Sequence, residues 1–403
     1  MLHVRTNDNV HPHQLRHSTN KDVRPHHGRA PSPRIAQAEG ENAEEGGVHD
    51  RNDQRGVGND RSSHQQAMRV KVAPVGETSA VLDFLDYDFM LAFNIEDLGT
   101  KNLIADEMYR EAKRKGSGSA ARYYRYIGQD TLAMSVTDLV AVGADPIVYA
   151  DAIATGESRW FDDAERAKEL LNGYRVAAEK AGCAIPQGET PTLSDIVFPE
   201  TLDLVGSSVG MIKPKERFTY GQKIATDDAI YGLSSGGICA NGVSKARAIA
   251  GKLNDGYFTK LPNGRTLGEE LLTPTPIYAR PIIEMFEAEV DLHYISPITG
   301  HGWRKIARAR FPFTYTIDYV PEPLLVFSAL IGWGKKLGFD VSDEENYQVW
   351  NMGVFIALIA PKEDEDKITR IGKKHGAEVY RLGRVEKGER QVVIKTKRIV
   401  YRE

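Results

Sequence analysis

The sequence has few cysteines, no long apolar run and no excess of positive charge. Two cysteines in 403 residues are too few to cross-link a chain of this length, and such scarcity is typical of a reducing compartment, so we expect a cytoplasmic protein. Every apolar stretch ends well before the roughly 20 residues that cross a bilayer. The net charge of -4 offers no basic field to nucleic acid or anionic lipid. The sequence therefore excludes a disulfide scaffold and a transmembrane protein, and it predicts no nucleic-acid or membrane partner.

Residues 1–67 lack aromatic side chains and hold eight of the chain's eleven histidines. A segment of this composition cannot bury enough apolar surface to offset the entropy of ordering it, which predicts a disordered, inert tail. The alternatives are a metal-binding histidine tract and a targeting peptide. Both are less favoured, because histidine ligands need an ordered frame and because nine acidic residues balance nine basic ones. We expect the folded protein to begin at Met68.

From Met68 onward, short β-rich runs alternate with segments of helical periodicity, which predicts an α/β fold. A chain of this length suggests two domains. Residues 213–228 contain a proline, several charges and no apolar periodicity, and we place a linker there. The predicted domains are then an N-terminal one at residues 68–212 and a C-terminal one at residues 229–403. Helices that bear on the candidate site are predicted at residues 101–115, 129–142, 241–252 and 303–309.

Several carboxylates fall at or near the ends of predicted elements. Asp130 and Asp138 lie eight residues apart on one predicted helix, within a single broad face that also includes Thr137. Glu96 ends the preceding strand, and Glu189 lies in a later turn. Converging carboxylates repel one another unless a cation lies between them, and hard oxygen ligands suit Mg²⁺ that carries a phosphorylated substrate. Each acid taken singly is better explained as a solvated surface residue or a helix cap.

A glycine- and serine-rich turn precedes the helix predicted at residues 241–252. It reads Ser-Ser-Gly-Gly at residues 234–237, and Asn241 and Gly242 follow at the helix start. Such a turn brings backbone N–H groups close to a phosphate, and the helix N-terminus adds favourable partial charge. A tight turn with Asn241 as the helix cap explains the same residues equally well.

Three further features invite a chemical interpretation. Gly99, Thr100 and Lys101 directly follow the first acidic turn and supply a hydroxyl group and a cation, although a solvated lysine at a helix start is an equal alternative for Lys101. His301, in a Thr-Gly-His-Gly turn, is more typical of a surface or capping residue than of a general base. Cys239 has no histidine near it in the sequence, which favours a structural role.

Taken in order, these segments are similar to the aminoimidazole ribonucleotide synthetase family, also called the phosphoribosylformylglycinamidine cyclo-ligase family. No single segment is specific for the family. The ordered set of segments, which runs from about Phe93 to Tyr401, is specific. The matching segments are residues 99–101 (Gly-Thr-Lys), 128–139 (Gly-Gln-Asp-Thr-Leu-Ala-Met-Ser-Val-Thr-Asp-Leu), 143–146 (Gly-Ala-Asp-Pro), 154–156 (Ala-Thr-Gly), 188–190 (Gly-Glu-Thr), 235–244, 272–278 (Leu-Thr-Pro-Thr-Pro-Ile-Tyr), 298–300 (Ile-Thr-Gly) and 351–353 (Asn-Met-Gly).

The resemblance implies a two-domain α/β subunit whose N-terminal sheet forms a barrel across a homodimer, with ATP in a groove of that domain. It also implies a reaction of purine synthesis. ATP phosphorylates the formyl-derived oxygen of formylglycinamidine ribonucleotide, a nearby nitrogen attacks the activated carbon, and phosphate leaves as the imidazole ring closes. Phosphoryl transfer of this kind depends on Mg²⁺ and cations that neutralise spreading charge, and much less on a covalent nucleophile.

Matching positions imply a role for individual residues. Catalytic roles fall to Lys101, Asp138 and Glu189. The implied Mg²⁺ ligands are Glu96, Asp130 and Asp138. The implied contacts to the ATP phosphates are Gly99, Thr100, Lys101, Asp130 and Thr137. The implied contacts to the substrate are Gly188, Glu189, Ser235, Asn241 and Gly242.

The chain departs from the family pattern at a few positions, and the departures leave two alternatives open. Only Gly76 remains of a glycine-rich strip before the first acidic turn, Gln187 replaces a glycine, Cys239 replaces a common histidine, and His301 replaces a common glycine. One alternative is a related ATP-using enzyme, either a small-molecule kinase or an amide-activating enzyme. The other is a paralogue that binds nucleotide without turnover.

Overall fold

Strands of two separate β-sheets make up the framework of the protein. The computed structural model describes residues 69–73, 78–117 and 120–402, so the tail predicted at residues 1–67 lies outside the described residues. The first sheet has six strands in the order β1-β2-β3-β6-β4-β5. Its strands are β1 (Val70–Val72), β2 (Ala80–Phe84), β3 (Met90–Asp97), β4 (Asp145–Thr155), β5 (Ala184–Glu189) and β6 (Leu202–Ile212).

The first sheet has one covered face and one open face. Buried and partly exposed side chains alternate along the whole of β6, which is the period-2 pattern of a strand with one buried face. Strand β5 pairs parallel with β4, and the other neighbours are antiparallel. Three helices belong to this half of the chain: α1 (Lys101–Arg114), α2 (Arg122–Ala141) and α3 (Ala164–Ala181).

Helix α2 is the central element of this half. It begins at Arg122, earlier than the sequence predicts, and nearly all of its side chains are buried. Helix α3 crosses it closely because both crossing points are glycines: a Cβ at Gly128 would lie 2.5 Å from Leu170 O, and one at Gly173 would lie 2.2 Å from Arg125 O.

The second sheet has seven strands in the order β13-β12-β9-β11-β7-β10-β8. Its strands are β7 (Ala229–Ser234), β8 (Tyr294–Pro297), β9 (Phe313–Ile317), β10 (Val354–Ala360), β11 (Val379–Lys387), β12 (Gln391–Ile394) and β13 (Ile399–Arg402). Every residue of β10 is buried, as expected of an interior strand with both faces covered. The helices of this half are α4 (Val243–Ala250), α5 (Leu267–Leu271), α6 (Ala279–Glu287), α7 (Leu325–Lys336), α8 (Asp343–Val349) and α9 (Glu365–Lys374).

The prediction of an α-helix at residues 303–309 is wrong. Gly302–Arg308 forms a 3₁₀ segment, in which Ala307 departs from helical geometry. The segment follows His301, whose φ of 68° lies in the left-handed region. A short 3₁₀ segment is the usual outcome where a tight turn leaves too little length for a regular α-helix.

One continuous apolar core joins the two sheets and the helices between them. It runs in sequence from Leu98 to Tyr401 and includes side chains of both halves. The described chain has no helix that is both long and apolar enough to cross a membrane. The α/β fold predicted from the sequence is confirmed, whereas the exact domain boundaries stay a prediction.

Candidate functional site

A cavity of about 180 Å³ lies where the end of helix α2 meets loops of the second half. This volume is below the roughly 300–1,000 Å³ of most small-molecule sites, so the cavity suits the reacting end of a ligand and not a whole nucleotide. Its lining residues are Glu96, Met134, Thr137, Asp138, Ala240, Asn241, Thr275, Thr299, Gly300, His301, Lys305 and Phe355.

Two carboxyl groups meet at one wall of this cavity. Glu96, near the end of β3, shares the covered face of the sheet with Ala92 and Asn94, and Asp138 lies in the last turn of α2. Burial raises the pKa of Asp138 well above its usual range, and the charge of Glu96 and a hydrogen bond between the two groups raise it further. Two acids held together in this way attract a cation or share a proton.

The opposite wall is basic and belongs to the second half of the chain. Lys305 lies in the 3₁₀ segment and donates a hydrogen bond from Nζ to Thr299 Oγ1. Burial lowers the pKa of Lys305, while the charges of Asp138 and Glu96 oppose that effect. The cavity therefore has a negative wall from the first half of the chain and a positive wall from the second.

Lys101 and Asp130 form a separate, fully buried ion pair. Lys101 Nζ lies 2.6 Å from Asp130 Oδ2, and both side chains have no exposed surface. The same ammonium group donates to the carbonyl oxygens of Cys239 at 2.9 Å and Thr273 at 3.3 Å. Asp130 Oδ1 accepts the backbone N–H of Thr275 at 2.6 Å. Neither of the two equal alternatives for Lys101 is observed, since its ammonium is neither solvated nor open to a phosphate.

The structure does not form the predicted three-carboxylate group of Glu96, Asp130 and Asp138. Eight residues of helix separate Asp130 from Asp138 by about 12 Å along the axis, and Asp130 is bound to Lys101. The described residues contain no group of three or more His, Cys, Asp or Glu side chains placed to hold a metal ion. Glu96 and Asp138 remain together at the cavity, and two carboxylates fit Mg²⁺, since that ion keeps waters and substrate phosphates in its shell.

The glycine-rich turn supplies a second part of the cavity wall. Asn241 lines the cavity, as does Thr137, whose hydroxyl donates to Ala133 O at 2.6 Å. Ser235 is buried, with a hydroxyl group that has no protein partner. Gly242 has φ of 74°, and a Cβ there would lie 2.6 Å from Val349 O, so no other residue fits without a shift of the backbone.

Asn241 is not the helix cap that one interpretation predicted. Helix α4 begins at Val243 with Gly242 at the cap position, and no side chain caps it. Trp350 Nε1 donates to Gly242 O at 3.0 Å and fixes the turn. The side chain of Asn241 is therefore not used by the helix end and lines the cavity instead.

The remaining predicted residues lie outside the cavity. Gly99 has φ of 66° and donates its N–H to Asp97 Oδ1 at 2.5 Å, and Thr100 is exposed and makes no side-chain cap of α1. Gly188 and Glu189 are exposed at the end of edge strand β5. Their predicted contacts to phosphate and substrate stay predictions.

Sequence reasoning missed Lys305 and Thr299 as members of the site. The Thr-Gly-His-Gly turn at residues 299–302 drew attention only to His301, which is exposed at the cavity edge. The signal that could have identified Lys305 is a lysine three residues after a glycine turn that opens a helical segment. The spacing alone does not fix where that side chain points, and only the fold brings it to the cavity.

Family models match both halves of the chain. The model described as AIR synthase related protein, N-terminal domain, covers residues 76–212, and the corresponding C-terminal domain model covers residues 225–396. Among solved structures, thiamine-monophosphate kinase from Stenotrophomonas maltophilia matches with a TM-score of 0.54 at 17% identity, over 82% of this chain and 92% of that one. The HypE-HypF complex matches with a TM-score of 0.53 at 15% identity, over 81% of this chain and 92% of the matched chain. These structural matches show the shared fold.

Curated relatives agree with the family models. The phosphoribosylformylglycinamidine cyclo-ligase of Methanocaldococcus jannaschii is 34% identical over 304 residues, which span 74% of this chain and 79% of the relative. The enzyme of the same name from Pyrococcus horikoshii is 33% identical over 323 residues, which span 80% of this chain and 86% of the relative. The resemblance inferred from the ordered motifs is confirmed, and the chain belongs to the AIR synthase related family.

Proposed function

We propose that this protein is an ATP-dependent cyclo-ligase that converts formylglycinamidine ribonucleotide to aminoimidazole ribonucleotide. The observation that carries the proposal is the 34% identity to a cyclo-ligase over 79% of that enzyme's length. The cavity supports it, because a negative wall and a positive wall facing one another suit the transfer of a phosphoryl group. No observation in the structure favours either alternative, the related ATP-using enzyme or the paralogue that binds nucleotide without turnover.

The proposed reaction has two steps. The formyl-derived oxygen attacks the γ-phosphorus, and the bond from that phosphorus to the β,γ-bridging oxygen breaks, with its electron pair leaving on ADP. A ring-forming nitrogen then attacks the activated carbon and loses its proton to water, and the carbon–oxygen bond breaks with its electron pair leaving on phosphate. The cavity walls keep both steps at one place, which lowers the entropy cost of bringing the groups together.

Each wall of the cavity has a distinct part in this proposal. Glu96 and Asp138 would hold Mg²⁺, which when bound neutralises charge on the phosphate oxygens. Asn241 and Thr137 lie on the lining and supply neutral polar groups for the reacting end of the ligand. The buried pair of Lys101 and Asp130 acts indirectly, since it holds the segments around Cys239 and Thr275 that carry the second-half lining.

Other site assignments rest on the resemblance and are kept as part of the proposal. Ser235 and Gly242 would lie on the substrate side, through the free hydroxyl of the serine and the close backbone turn at the glycine. Gly99 and Thr100 would contact the ATP phosphates. Gly188 and Glu189 would contact substrate from the exposed end of β5.

We also propose a homodimer in which the open faces of two first sheets pair to form a barrel. That face carries large apolar side chains on β3 and β4, the two strands that flank β6: Phe93 is 43% exposed, Ile95 71% and Ile147 42%. Val209 of β6 is paired directly with Phe93 and is half-buried. Contiguous exposed apolar surface of this kind marks an interaction site. The two unpaired cysteines of the described chain support a cytoplasmic location as part of the same proposal.

The decisive experiment is a coupled assay of the purified protein with formylglycinamidine ribonucleotide, ATP and Mg²⁺. We expect aminoimidazole ribonucleotide and phosphate to appear in equal amounts, and neither to form when the ribonucleotide is omitted. Phosphorylation of another acceptor, with no imidazole product, would replace the cyclo-ligase by a kinase. A melting temperature that Mg-ATP fails to raise would count against every ATP-dependent interpretation.

The dimer is tested by a charge on the open face. Ile95→Lys should convert the dimer to a monomer in analytical ultracentrifugation, because a buried, unpaired lysine is costly at an interface. Leu171→Lys is the matched control: Leu171 is 55% exposed on helix α3, away from the sheet face. A wild-type protein that sediments as a monomer would overturn the dimer proposal.

A further inference from the structure

Lys305 is held in place on the positive wall of the cavity. Ser296 Oγ donates to the carbonyl oxygen of Lys305 at 2.8 Å, and Trp303 Nε1 donates to Asn351 O at 3.0 Å, so strand β8 and the loop before β10 both anchor the 3₁₀ segment. The ammonium group itself donates to Thr299 Oγ1. One neutral partner leaves two N–H groups of the ammonium for a ligand.

The lysine faces the acidic wall without closing onto it. Among the ion pairs of the described residues, none joins Lys305 to Glu96 or Asp138, although all three side chains line the same cavity. The charge of Lys305 nevertheless acts on Asp138 across that space. A gap between opposite charges suits a group that meets the lysine with negative oxygens and meets the carboxylates through a cation.

Lys101 is unsuited to the same task. Its ammonium group has three partners, Asp130 Oδ2 at 2.6 Å and the carbonyl oxygens of Cys239 and Thr273, and its side chain has no exposed surface. An ammonium group without exposed surface, paired with a carboxylate and bonded to two carbonyl oxygens, is not accessible to a phosphate. Of these two lysines, only Lys305 both lines the cavity and has N–H groups available for a ligand.

We propose that Lys305 binds the γ-phosphate of ATP and remains bound to that group as it moves to the formyl-derived oxygen. The inference rests on the proposed function and names a residue that the family motifs did not single out. In the proposed step Lys305 acts as a cation and neither gives nor takes a proton. Its charge stabilises the three equatorial oxygens of the phosphoryl group while the bond to the bridging oxygen breaks and the bond to the formyl-derived oxygen forms.

The inference predicts a selective loss of affinity for the γ-phosphate. Isothermal titration calorimetry would compare ADP with the β,γ-methylene analogue of ATP, both with Mg²⁺, on the full chain. Lys305→Met should weaken binding of the analogue by about 10- to 100-fold, the size of one charge-assisted hydrogen bond. Binding of ADP should change by less than about twofold, because ADP lacks the group that the lysine contacts. Lys305→Arg keeps the charge and should recover much of the affinity for the analogue.

Lys336→Met is the matched control. Lys336 is exposed in the last turn of helix α7, and its loss should leave both affinities unchanged. Equal weakening of ADP and the analogue by Lys305→Met would assign the lysine a structural role and overturn the inference. So would an unchanged preference for the analogue.

Turnover separates this inference from the proposed function. In the coupled assay, Lys305→Met should lower kcat by about 10²-fold, as expected when a group that stabilises transition-state charge is removed. If wild type makes the imidazole product and Lys305→Met keeps its nucleotide preference, only the inference fails. If wild type binds both nucleotides with the predicted dependence on Lys305 but makes no imidazole product, the proposed reaction fails and the phosphate contact stands.

Discussion

Helix α2 carries two aspartates that look alike in the sequence but have different partners in the structure. Asp130 is buried with Lys101, and both of its oxygens have a partner. Asp138, two turns later, lies at the cavity beside another acid, and the lysine across the cavity makes no ion pair with it. The charge of Asp130 is neutralised by a residue of the protein. The charges at Asp138 are left for a ligand to neutralise.

This difference shows how one helix serves two purposes. The buried ion pair of Lys101 and Asp130 also bonds to the backbone at Cys239, Thr273 and Thr275, and so it fixes these neighbouring segments in one geometry. Two acids held side by side are less stable without a counter-ion, and such local instability is typical of binding sites. We therefore expect substitutions at Asp130 and Lys101 to affect stability first, and substitutions at Asp138 to affect activity first.

The largest effect is expected at the open site. Asp138→Asn should lower ATP-dependent turnover by about 10³-fold or more, because the change removes a charged ligand of the proposed Mg²⁺. The same change should leave the free energy of unfolding unaltered or raise it by up to about 1 kcal/mol, since it removes repulsion from Glu96. Phosphate release and urea denaturation measure the two quantities.

Asp366→Asn serves as the control for that substitution, because Asp366 is exposed on helix α9. Turnover of Asp138→Asn within a few fold of wild type would contradict the placement of Mg²⁺ at this wall. A large loss of stability would instead show that Asp138 resembles Asp130.

The next largest effect is expected at the closed site. Lys101→Met should lower the free energy of unfolding by about 3 to 5 kcal/mol, because it leaves the Asp130 carboxylate buried without its cation. Combining it with Asp130→Leu should recover most of the loss, since an apolar pair of similar size removes the unpaired charge. Urea denaturation of both variants and of the exposed control Lys168→Met makes the comparison. If Lys101→Met were as stable as wild type yet inactive, Lys101 would be the phosphate ligand that the sequence suggested.

A smaller effect is expected at a third ionic group, a buried histidine with two carboxylate partners. His293 Nδ1 lies 2.7 Å from Asp228 Oδ2, and Nε2 lies 3.0 Å from Asp291 Oδ2. Burial lowers the pKa of His293, but its hydrogen bonds to the two carboxylates outweigh burial, and the net pKa is raised. The imidazolium therefore contributes stability that is fully present below the unfolded-state pKa of about 6.5 and is lost as pH rises through the folded-state pKa.

His293→Gln should consequently lower the free energy of unfolding by about 1 to 3 kcal/mol at pH 6. The difference from wild type should shrink as the pH is raised above the folded-state pKa of His293. His375→Gln is the control, since His375 meets Glu284 near the surface, where an ion pair contributes little. A pH-independent difference would mean that the imidazole acts through packing and not through charge.

Much of the local structure follows from the sequence pattern. Strand β6 (Leu202–Ile212) is an example, because its side chains alternate between one buried and one open face along its whole length. Strand β9 escaped prediction although Phe-Thr-Tyr-Thr-Ile is typical of a strand, and the 3₁₀ segment Gly302–Arg308 was mistaken for an α-helix. Short elements are the ones for which neighbouring chain segments decide the geometry, and periodicity has too few residues to act on.

The candidate site divides in the same way. The sequence pointed to Glu96 and Asp138, which the fold brings together, and to Asn241, which lines the same cavity. It also pointed to Asp130, because an eight-residue spacing places two side chains within one face of a helix but says nothing about their depth in the core. Lys305 could not be paired with Asp138 from the sequence, since the two residues belong to different halves of the chain.

The sequence alone determined the membership of the family, the α/β layers and the short set of residues that carry charge into them. Those properties depend on order, spacing and periodicity, which a single chain displays directly. Only the tertiary structure decided that Lys101 forms an ion pair with Asp130 and that Lys305 lines the cavity. The interaction energy of a charged side chain depends on its burial and on its partners. The partners of Lys101 include Cys239 and Thr273, more than a hundred residues away in the sequence. They come together only when the two sheets have packed.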